Sequence, residues 1–284
     1  MIQFADKIAV GFSGGKDSFV LLYNLYKYLE QKQRTSQLEA IIVLEGIKGY
    51  REESEEIATT FCTQIGIPLH KVYFKDYLGY ALDETVSRSR EFGLEQMKAC
   101  TICGTARRRL LDMKAKEIGA TKLAIGHNLD DQAETFLQNI LRNDALMIGK
   151  RPLWGSEQSD LFVQKIKPLF NIPEKEISLY AFYKEFPFQT HVCPYSLPDQ
   201  FFVLRRAVQG FLNELEINIP EIKYNILNAN HDLYDIVKEH LTKTEKKQFG
   251  FCKECGEPCG PNESICRFCE IKNKLINNAK KSSE

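Results

Sequence analysis

Short apolar runs recur between longer amphipathic or charged stretches along the first half of the chain. Four of these runs predict buried strands, at residues 7–12, 38–44, 70–73 and 122–126. The stretches between them predict helices, one starting near residue 19 and others over 51–64 and 106–118. Because strands and helices alternate, the pattern predicts an α/β fold, in which a parallel sheet carries helices on both faces.

A glycine-rich turn joins the first predicted strand to the first predicted helix. Its sequence is Ser13-Gly14-Gly15-Lys16-Asp17-Ser18. Glycines allow backbone N–H groups to approach a phosphate closely, and the positive end of the helix dipole favours an anion there. The serine hydroxyls add hydrogen-bond donors and Lys16 adds a positive charge. The spacing is not the Walker pattern, but this combination directly after a strand favours a phosphate site over an ordinary turn.

A second polar segment follows the run at residues 122–126. It reads Gly126-His127-Asn128-Leu129-Asp130-Asp131. Parallel sheets bind ligands at the carboxyl ends of their strands, so we expect this segment and the glycine-rich turn on one rim. Taken alone, the two acids favour N-capping of a helix. Facing a phosphate loop, they are also placed to hold Mg²⁺ on ATP.

The nine cysteines are clustered along the chain. Cys100 and Cys103 form a C-x-x-C turn that opens a helix, where the dipole lowers the pKa of thiols. This pair suits a redox dithiol, half a zinc site or part of an iron–sulfur site. The next cysteine is Cys193, and three cysteines leave a tetrahedral metal one ligand short, as an open and reactive site requires. Cys62 lies among apolar residues of a predicted helix and is assigned to the core.

Two further cysteine pairs predict a zinc ribbon near the C-terminus. The four expected ligands are Cys252, Cys255, Cys266 and Cys269, which would fill a tetrahedral and therefore structural site. Cys259 is an additional cysteine that is either spare or a competing ligand. Ribbons of this kind occur both as RNA-binding modules and as plain folding units, and the sequence does not separate these two roles.

Composition limits the classes of function. The chain has 284 residues, of which 43% are hydrophobic and 27% charged, with zero net charge. Nucleic-acid binding would therefore depend on local basic patches, such as residues 107–109 or the expected loop at 142–160 with Arg151 and Trp154. No apolar run approaches the roughly 20 residues of a membrane helix, and no secretory signal is recognisable, so we expect a cytoplasmic protein.

The domain organisation follows from these patterns. We expect a catalytic domain over residues 1–200 and a helical extension over 201–246, with a break near Pro220. The zinc ribbon is expected at 247–271, and the Lys-, Asn- and Ser-rich residues 272–284 are expected to be disordered.

The motifs resemble those of one enzyme family. The turn SGGKDS is similar to the PP-loop of ATP pyrophosphatases, whose fold is Rossmann-like. With CTICG and its arginines, GHNLDDQAET and the lone cysteine of VCPYS, it occurs in the order seen in tRNA 2-thiolation enzymes of the TtcA/TtuA-like group. The resemblance implies that Cys100, Cys103 and Cys193 hold a [4Fe-4S] cluster with one iron free of protein ligands. It also implies a catalytic role for Lys16, for Asp130, and for Arg107 at a basic family position.

The resemblance further implies the reaction and its partners. ATP with Mg²⁺ would transfer AMP to the C2 oxygen of a tRNA uridine, and sulfur would then replace that oxygen. The binding residues would be the PP-loop, Gly126, His127, Asp130 and Asp131. The expected sulfur donor is a ubiquitin-like thiocarboxylate carrier or sulfide, and the expected assembly is a homodimer. The ribbon argues against the cytidine-modifying branch, and CTICG with its following arginines favours the wobble uridine over the T-loop uridine.

Two departures from the family pattern affect these expectations. Many relatives carry a zinc-binding module before the PP-loop, whereas no cysteine precedes Cys62 here, so we expect that module to be absent. Relatives often have Asp-Glu-Gly after the second strand, where this chain has Leu44-Glu45-Gly46. If this acidic position orients nucleotide or substrate, Glu45 must do so alone.

Three alternative functions remain at this stage. A persulfide on one of the three cysteines could transfer sulfur without a cluster. Another PP-loop adenylating ligase or amidotransferase would share the phosphate loop but would not need three spaced cysteines. A non-catalytic zinc-ribbon RNA-binding scaffold would not need Lys16, Asp17 and Asp130.

Overall fold

A five-stranded parallel sheet forms the centre of the computed structural model, which describes residues 1–150, 162–196, 201–244, 250–260 and 263–281. The strands are β1 (Ile8–Gly11), β2 (Leu38–Leu44), β3 (Leu69–Tyr73), β4 (Lys122–Ala124) and β5 (Gln164–Ile166). Their order is β3-β2-β1-β4-β5. The four predicted strands and the α/β class are confirmed. β5 was not predicted because its exposed edge carries Gln164 and Lys165 and no apolar run marks it.

Helices follow the strands in the predicted alternation. In the first part they are α1 (Lys16–Gln31), α2 (Arg51–Gln64), α3 (Phe74–Leu78), α4 (Leu82–Ser87), α5 (Ala99–Glu117) and α6 (Leu129–Leu141). Further along they are α7 (Ala145–Lys150), α8 (Glu174–Tyr183), α9 (Phe201–Asn218), α10 (Ile222–Thr244) and α11 (Arg267–Lys281). α5 begins seven residues earlier than predicted, because the C-x-x-C turn is itself its first turn.

The central strands β1 and β2 are buried on both faces, which explains why they are almost wholly apolar. Alternate side chains of β1 point to opposite faces. Ile8 and Val10 pack in a core formed with α1 and α8, whereas Ala9 packs in a second core formed with α5. The order of the strands changes direction at β1 and β4, and such a switch point opens a crevice at the carboxyl ends of the strands. The glycine-rich turn after β1 and the polar segment after β4 both lie at this crevice.

The helical extension packs against α6, the helix that starts at this crevice. Both α9 and α10 contact α6. They are separated at Ile219-Pro220-Glu221, where Glu221 has a positive φ of 71°, so the predicted break at the proline is confirmed. The predicted loop at 142–160 contains α7, and Arg151 and Trp154 lie outside the described residues.

The C-terminal ribbon packs on the outer side of α5. Its two short strands, β6 (Gly250–Phe251) and β7 (Pro258–Cys259), pair antiparallel. α11 follows and buries Ile271 and Leu275, one helical turn apart, in the core that contains α5. The expectation that residues from 272 onward are disordered was therefore wrong as far as Lys281, because two apolar residues at helical spacing anchor an otherwise polar helix. No helix among the described residues is long and apolar enough to cross a membrane.

Candidate active site and cysteine centres

The glycine-rich turn has a backbone that only glycine tolerates well. Gly14 has a φ of +83°, and a Cβ there would lie 3.2 Å from the Cβ of Ser54. Gly15 is the extended residue that precedes α1. Ser18 Oγ donates to the Gly15 carbonyl at 2.8 Å and lies 3.3 Å from Ser13 Oγ. The turn thus presents two hydroxyls and a helix N-terminus to the crevice, as an anion site requires.

Lys16 is held at the crevice by two carboxylates. Its Nζ lies 2.6 Å from Oε1 of Glu174 and 3.1 Å from Oδ2 of Asp17. Burial by itself would lower the pKa of Lys16. The hydrogen bond to Glu174 and the negative charges of Asp17 and Glu174 outweigh this effect, so the pKa lies above its ordinary value. Lys16 is therefore a cation whose carboxylate partners a phosphate could replace.

The segment after β4 meets the glycine-rich turn, as its position at the strand ends predicted. Asn128 Nδ2 donates to Asp17 Oδ1 at 2.9 Å. A Cβ on Gly126 would lie 3.4 Å from the backbone carbon of Asp17, so the two turns pack closely. His127 is exposed beside them. Asn128 and Asp131 form a capping box at the start of α6, which is the capping role that the segment alone favours.

Asp130 is engaged by other residues rather than open to the crevice. Its side chain is 9% exposed; Oδ1 accepts from the ammonium of Lys223, and Oδ2 accepts from the backbone N–H of Glu174 at 2.7 Å. Asp131 Oδ1 is 2.7 Å from Arg205 Nη2. In this conformation one oxygen of each carboxylate pairs with a cation of the helical extension, which would have to leave before Mg²⁺ could bind there. The assignment of magnesium to these residues stays a prediction.

The three predicted cluster cysteines lie at the first turn of α5. Cys100 and Cys103 belong to α5 itself, and Cys193 lies in the segment just before a 3-10 turn at Pro194–Ser196. Cys100 Sγ contacts the Tyr195 carbonyl at 3.6 Å, and Cys193 packs against the core that contains Cys103. All nine cysteines are described and none forms a disulfide. The other six lie in α2 or the ribbon, so no fourth cysteine completes the group.

The positive charge of Arg107 lies beside the buried sulfur of Cys103 and favours its thiolate form, which binds soft metals. Arg107 lies one helical turn after Cys103 and donates to its Sγ at 3.2 Å. Burial raises the pKa of the Cys103 thiol to about 11, although the positive charge of Arg107 opposes this. A bound metal removes such a proton outright. Three thiols, a helix N-terminus and a guanidinium therefore fit an iron–sulfur cluster that lacks a fourth protein ligand.

The four ribbon cysteines form a separate and closed site. The Sγ atoms of Cys252, Cys255, Cys266 and Cys269 all lie within 4.8 Å of one another, as one metal ion requires. Cys259 is not part of this group; its Sγ donates to the Glu263 carbonyl at 3.0 Å. Four cysteines in this arrangement fit a structural zinc ion. Arg109 of α5 ties the site to the main domain through Glu257 at 3.1 Å and Cys255 Sγ at 3.6 Å.

Substitution of Cys269 by alanine is expected to abolish zinc binding and to lower the melting temperature. A three-cysteine remnant binds zinc weakly, and the ribbon loses the metal that folds it. Bound zinc, measured by elemental analysis, and thermal unfolding of the whole chain provide the two measurements. Cys259→Ala is the matched control, since this cysteine is buried in the same ribbon but outside the group. Equal zinc loss in both variants would contradict the four-cysteine assignment.

Comparisons with known proteins agree with this geometry. A family model described as a PP-loop domain matches residues 3–191. A protein of Methanocaldococcus jannaschii named "Probable sulfurtransferase" is 37% identical over 274 residues, covering 95% of this chain and 74% of the relative. "Cytoplasmic tRNA 2-thiolation protein 1" of Aspergillus niger is 32% identical over 280 residues, covering 98% and 77%.

A solved structure is similar along most of the chain. It is the U34-tRNA thiolase NcsA from Methanococcus maripaludis with its [4Fe-4S] cluster, at 36% identity and a TM-score of 0.74, covering 95% of this chain and 81% of that one. The chain therefore belongs to the PP-loop family, in the group that contains the tRNA 2-thiolation proteins.

Several residues at the crevice were not singled out by the sequence. Glu174 and Lys223 contact Lys16 and Asp130 from distant elements. Glu174 opens a helix after a proline, where an acid is common for dipole reasons alone, so its position carried no specific signal. Lys223 lies in the first turn of α10, where no recognisable motif marks it. Arg205 of α9 pairs with Asp131 and Glu134.

Proposed function

We propose that this protein is a tRNA-uridine 2-sulfurtransferase, which activates the uridine C2 oxygen with ATP and replaces it with sulfur. The observation that carries this proposal is the placement of three cysteines, none of them in a disulfide, in a group that hydrogen bonds connect to the PP-loop. A PP-loop ligase that forms an amide needs the loop but not the cysteines. A non-catalytic scaffold needs neither, so the joint arrangement favours the thiolase.

The first half-reaction is the transfer of AMP. The C2 oxygen of uridine attacks the α-phosphorus of ATP, the bond from that phosphorus to the bridging oxygen breaks, and pyrophosphate leaves. The serine hydroxyls and the start of α1 would bind the phosphates. Lys16 would leave Glu174 for the phosphates and offset the negative charge that develops in the transition state.

The second half-reaction replaces oxygen by sulfur at C2. A sulfur nucleophile attacks this carbon, the bond from C2 to the adenylated oxygen breaks, and AMP leaves. Cys100, Cys103 and Cys193 would hold a [4Fe-4S] cluster, which supplies an iron open to the incoming sulfur. Arg107 would stabilise negative charge on sulfur beside Cys103. Sulfide would donate the sulfur directly, whereas with a thiocarboxylate carrier water would also cleave the acyl C–S bond and release the carrier as a carboxylate. No proposed step passes through Mg²⁺.

We assign the wobble uridine as the substrate position. The similarity to a U34-tRNA thiolase over nearly the whole chain supports this choice. We also propose a cytoplasmic location and a homodimeric assembly. The name of the Aspergillus niger relative, which includes the word cytoplasmic, supports the location.

Anaerobic reconstitution with iron and sulfide tests the proposal, read by visible and EPR spectra. We expect a [4Fe-4S] signal in the wild type and a strong loss of that signal in Cys193→Ala, because two cysteines of one turn cannot hold three irons. Cys62→Ala is the matched control, since its buried thiol lies in α2, away from the group. Its spectrum is expected to equal that of the wild type.

The loaded wild type is then incubated with ATP, sulfide and unmodified tRNA. Mass spectrometry of nucleosides is expected to detect 2-thiouridine, and a tRNA with cytidine at the wobble position is expected to remain unmodified. Thiolation of tRNA by a cluster-free protein would contradict the role of the cluster, because sulfide would then attack the activated C2 carbon directly. Turnover of ATP without any thiolation would favour another PP-loop ligase, and neither activity would favour the scaffold.

A further inference from the structure

Glu45 is a fully buried carboxylate that lies between the phosphate loop and the cysteine group. It follows β2 at the crevice and has no solvent exposure. Its Oε1 accepts from Arg107 Nε at 2.7 Å, and both of its oxygens accept from the guanidinium of Arg51. Two arginines and one buried carboxylate leave a net positive charge at this point.

The two arginines reach in opposite directions from Glu45. Arg51 Nη1 donates to the Ser13 carbonyl of the phosphate loop at 3.1 Å. Arg107 Nη2 donates to Cys103 Sγ at 3.2 Å, and that sulfur also lies 3.8 Å from Glu45 Oε1. A continuous chain of charge-assisted hydrogen bonds therefore runs from the phosphate loop to a cysteine of the proposed cluster.

A second connection joins the same two places independently. The Gln189 backbone N–H donates to the Gly14 carbonyl at 2.9 Å, and its side-chain Oε1 accepts from Ser54 Oγ at 2.6 Å. Gln189 precedes Cys193 by four residues in an extended segment without helix or strand. Both ends of the cysteine group are thus attached to the backbone of the phosphate loop, one through Arg107 and the other through the segment of Cys193.

We propose that Glu45 is a positioning residue that couples the nucleotide site to the cysteine group. It does not touch nucleotide or sulfur; it holds Arg51 on the loop and Arg107 on Cys103 at the same time. Nucleotide binding at the loop therefore changes the affinity of the cysteines for the cluster. A bound cluster changes the affinity of the loop for nucleotide by the same factor. The proposal rests on the proposed function, because it assigns a nucleotide to one end and a metal group to the other.

Binding measurements test this coupling without any turnover. The dissociation constant of a non-hydrolysable ATP analogue is measured by calorimetry for wild-type protein with and without its reconstituted cluster. We expect the two constants to differ by about 5- to 150-fold, the usual range for coupled sites. In Glu45→Gln we expect this difference to fall below about 2-fold, because a neutral amide cannot hold two guanidiniums by charge. The EPR spectrum of the reduced cluster is expected to respond to the analogue in the wild type but not in Glu45→Gln.

Two further variants keep the result interpretable. Arg51→Lys retains the charge but lacks the planar fork that reaches Glu45 and Ser13 together. We expect its two dissociation constants, with and without the cluster, to be nearly equal. This variant provides the test if Glu45→Gln does not fold. Glu39→Gln is the matched control, because Glu39 lies on β2 and pairs with Lys7 and His70 at the opposite end of the strand. Its constants should differ as in the wild type.

Equal dissociation constants in the wild type, or an undiminished difference in folded Glu45→Gln or Arg51→Lys, would overturn the coupling. Failure of the proposed function has a separate signature, because it is decided by whether the loaded wild type thiolates tRNA. A protein that thiolates tRNA but shows no coupling would keep the function and refute the role of Glu45.

Discussion

Replacement of Lys16 by methionine is expected to reduce AMP formation with tRNA by about 10²- to 10³-fold, as removal of one preorganised charge stabiliser does in other enzymes. Lys16 stands at the start of α1 and is the lysine of the phosphate loop, held at the crevice by Glu174 and Asp17. Its charge would act on the α-phosphate in the transition state. The rate of pyrophosphate release with saturating tRNA measures this step directly.

Lys27→Met is the matched control for this experiment. Lys27 lies on the same helix but is exposed and pairs with Glu30 at 2.7 Å, away from the crevice. We expect its rate to stay near that of the wild type. Lys16→Arg should recover part of the activity by restoring the charge. A wild-type rate in Lys16→Met would remove this residue from the proposed transition state.

Replacement of Lys223 by methionine is expected to lower the free energy of unfolding by about 3–5 kcal/mol, the usual result of removing one partner from a buried ion pair. The ammonium of Lys223 contacts Asp130 and also donates to Asn213 at 2.7 Å, and both charged side chains are about nine-tenths buried. Without it, Asp130 would be left as an uncompensated charge between α6 and α10. Denaturant-induced unfolding followed by circular dichroism measures the loss.

A double-mutant cycle separates stability from metal binding at this position. If Asp130 serves the ion pair, Lys223→Met combined with Asp130→Asn should cost less than the sum of the single variants. Lys238→Met on the same helix, whose ammonium lies 5.6 Å from the Tyr234 ring centre, should cost less than about 1 kcal/mol. Additive losses in the double variant would argue that Asp130 does not depend on Lys223.

The sequence predicted the sheet and the phosphate loop because both depend on local patterns. Apolar runs, the glycines of the loop and the capping residues of α6 all act within a few positions of one another, and each appeared where expected. Residues 107–109 point in different directions on α5, as helical spacing requires: Arg107 contacts Cys103 and Arg109 contacts Glu257 of the ribbon.

Contacts between distant elements were beyond these patterns. Lys223 and Arg205 reach the acids of α6 from the helical extension, and Arg51 lies in a first helical turn where the dipole disfavours a cation. Its partners, the buried Glu45 and the Ser13 carbonyl, explain why Arg51 is there. Residues 272–284 were predicted to be disordered from their polar composition. Composition does not show that Ile271 and Leu275 lie one helical turn apart and bury one side of α11.

The position of α5 between the sheet and the ribbon has a consequence during protein synthesis. This helix is translated long before the ribbon, and domains tend to fold from the N-terminus as they emerge from the ribosome. Until the ribbon and α11 are made, Phe92, Leu94 and the outer side of α5 lack the cover that they have in the finished fold. The nascent chain is therefore most exposed to aggregation in this interval.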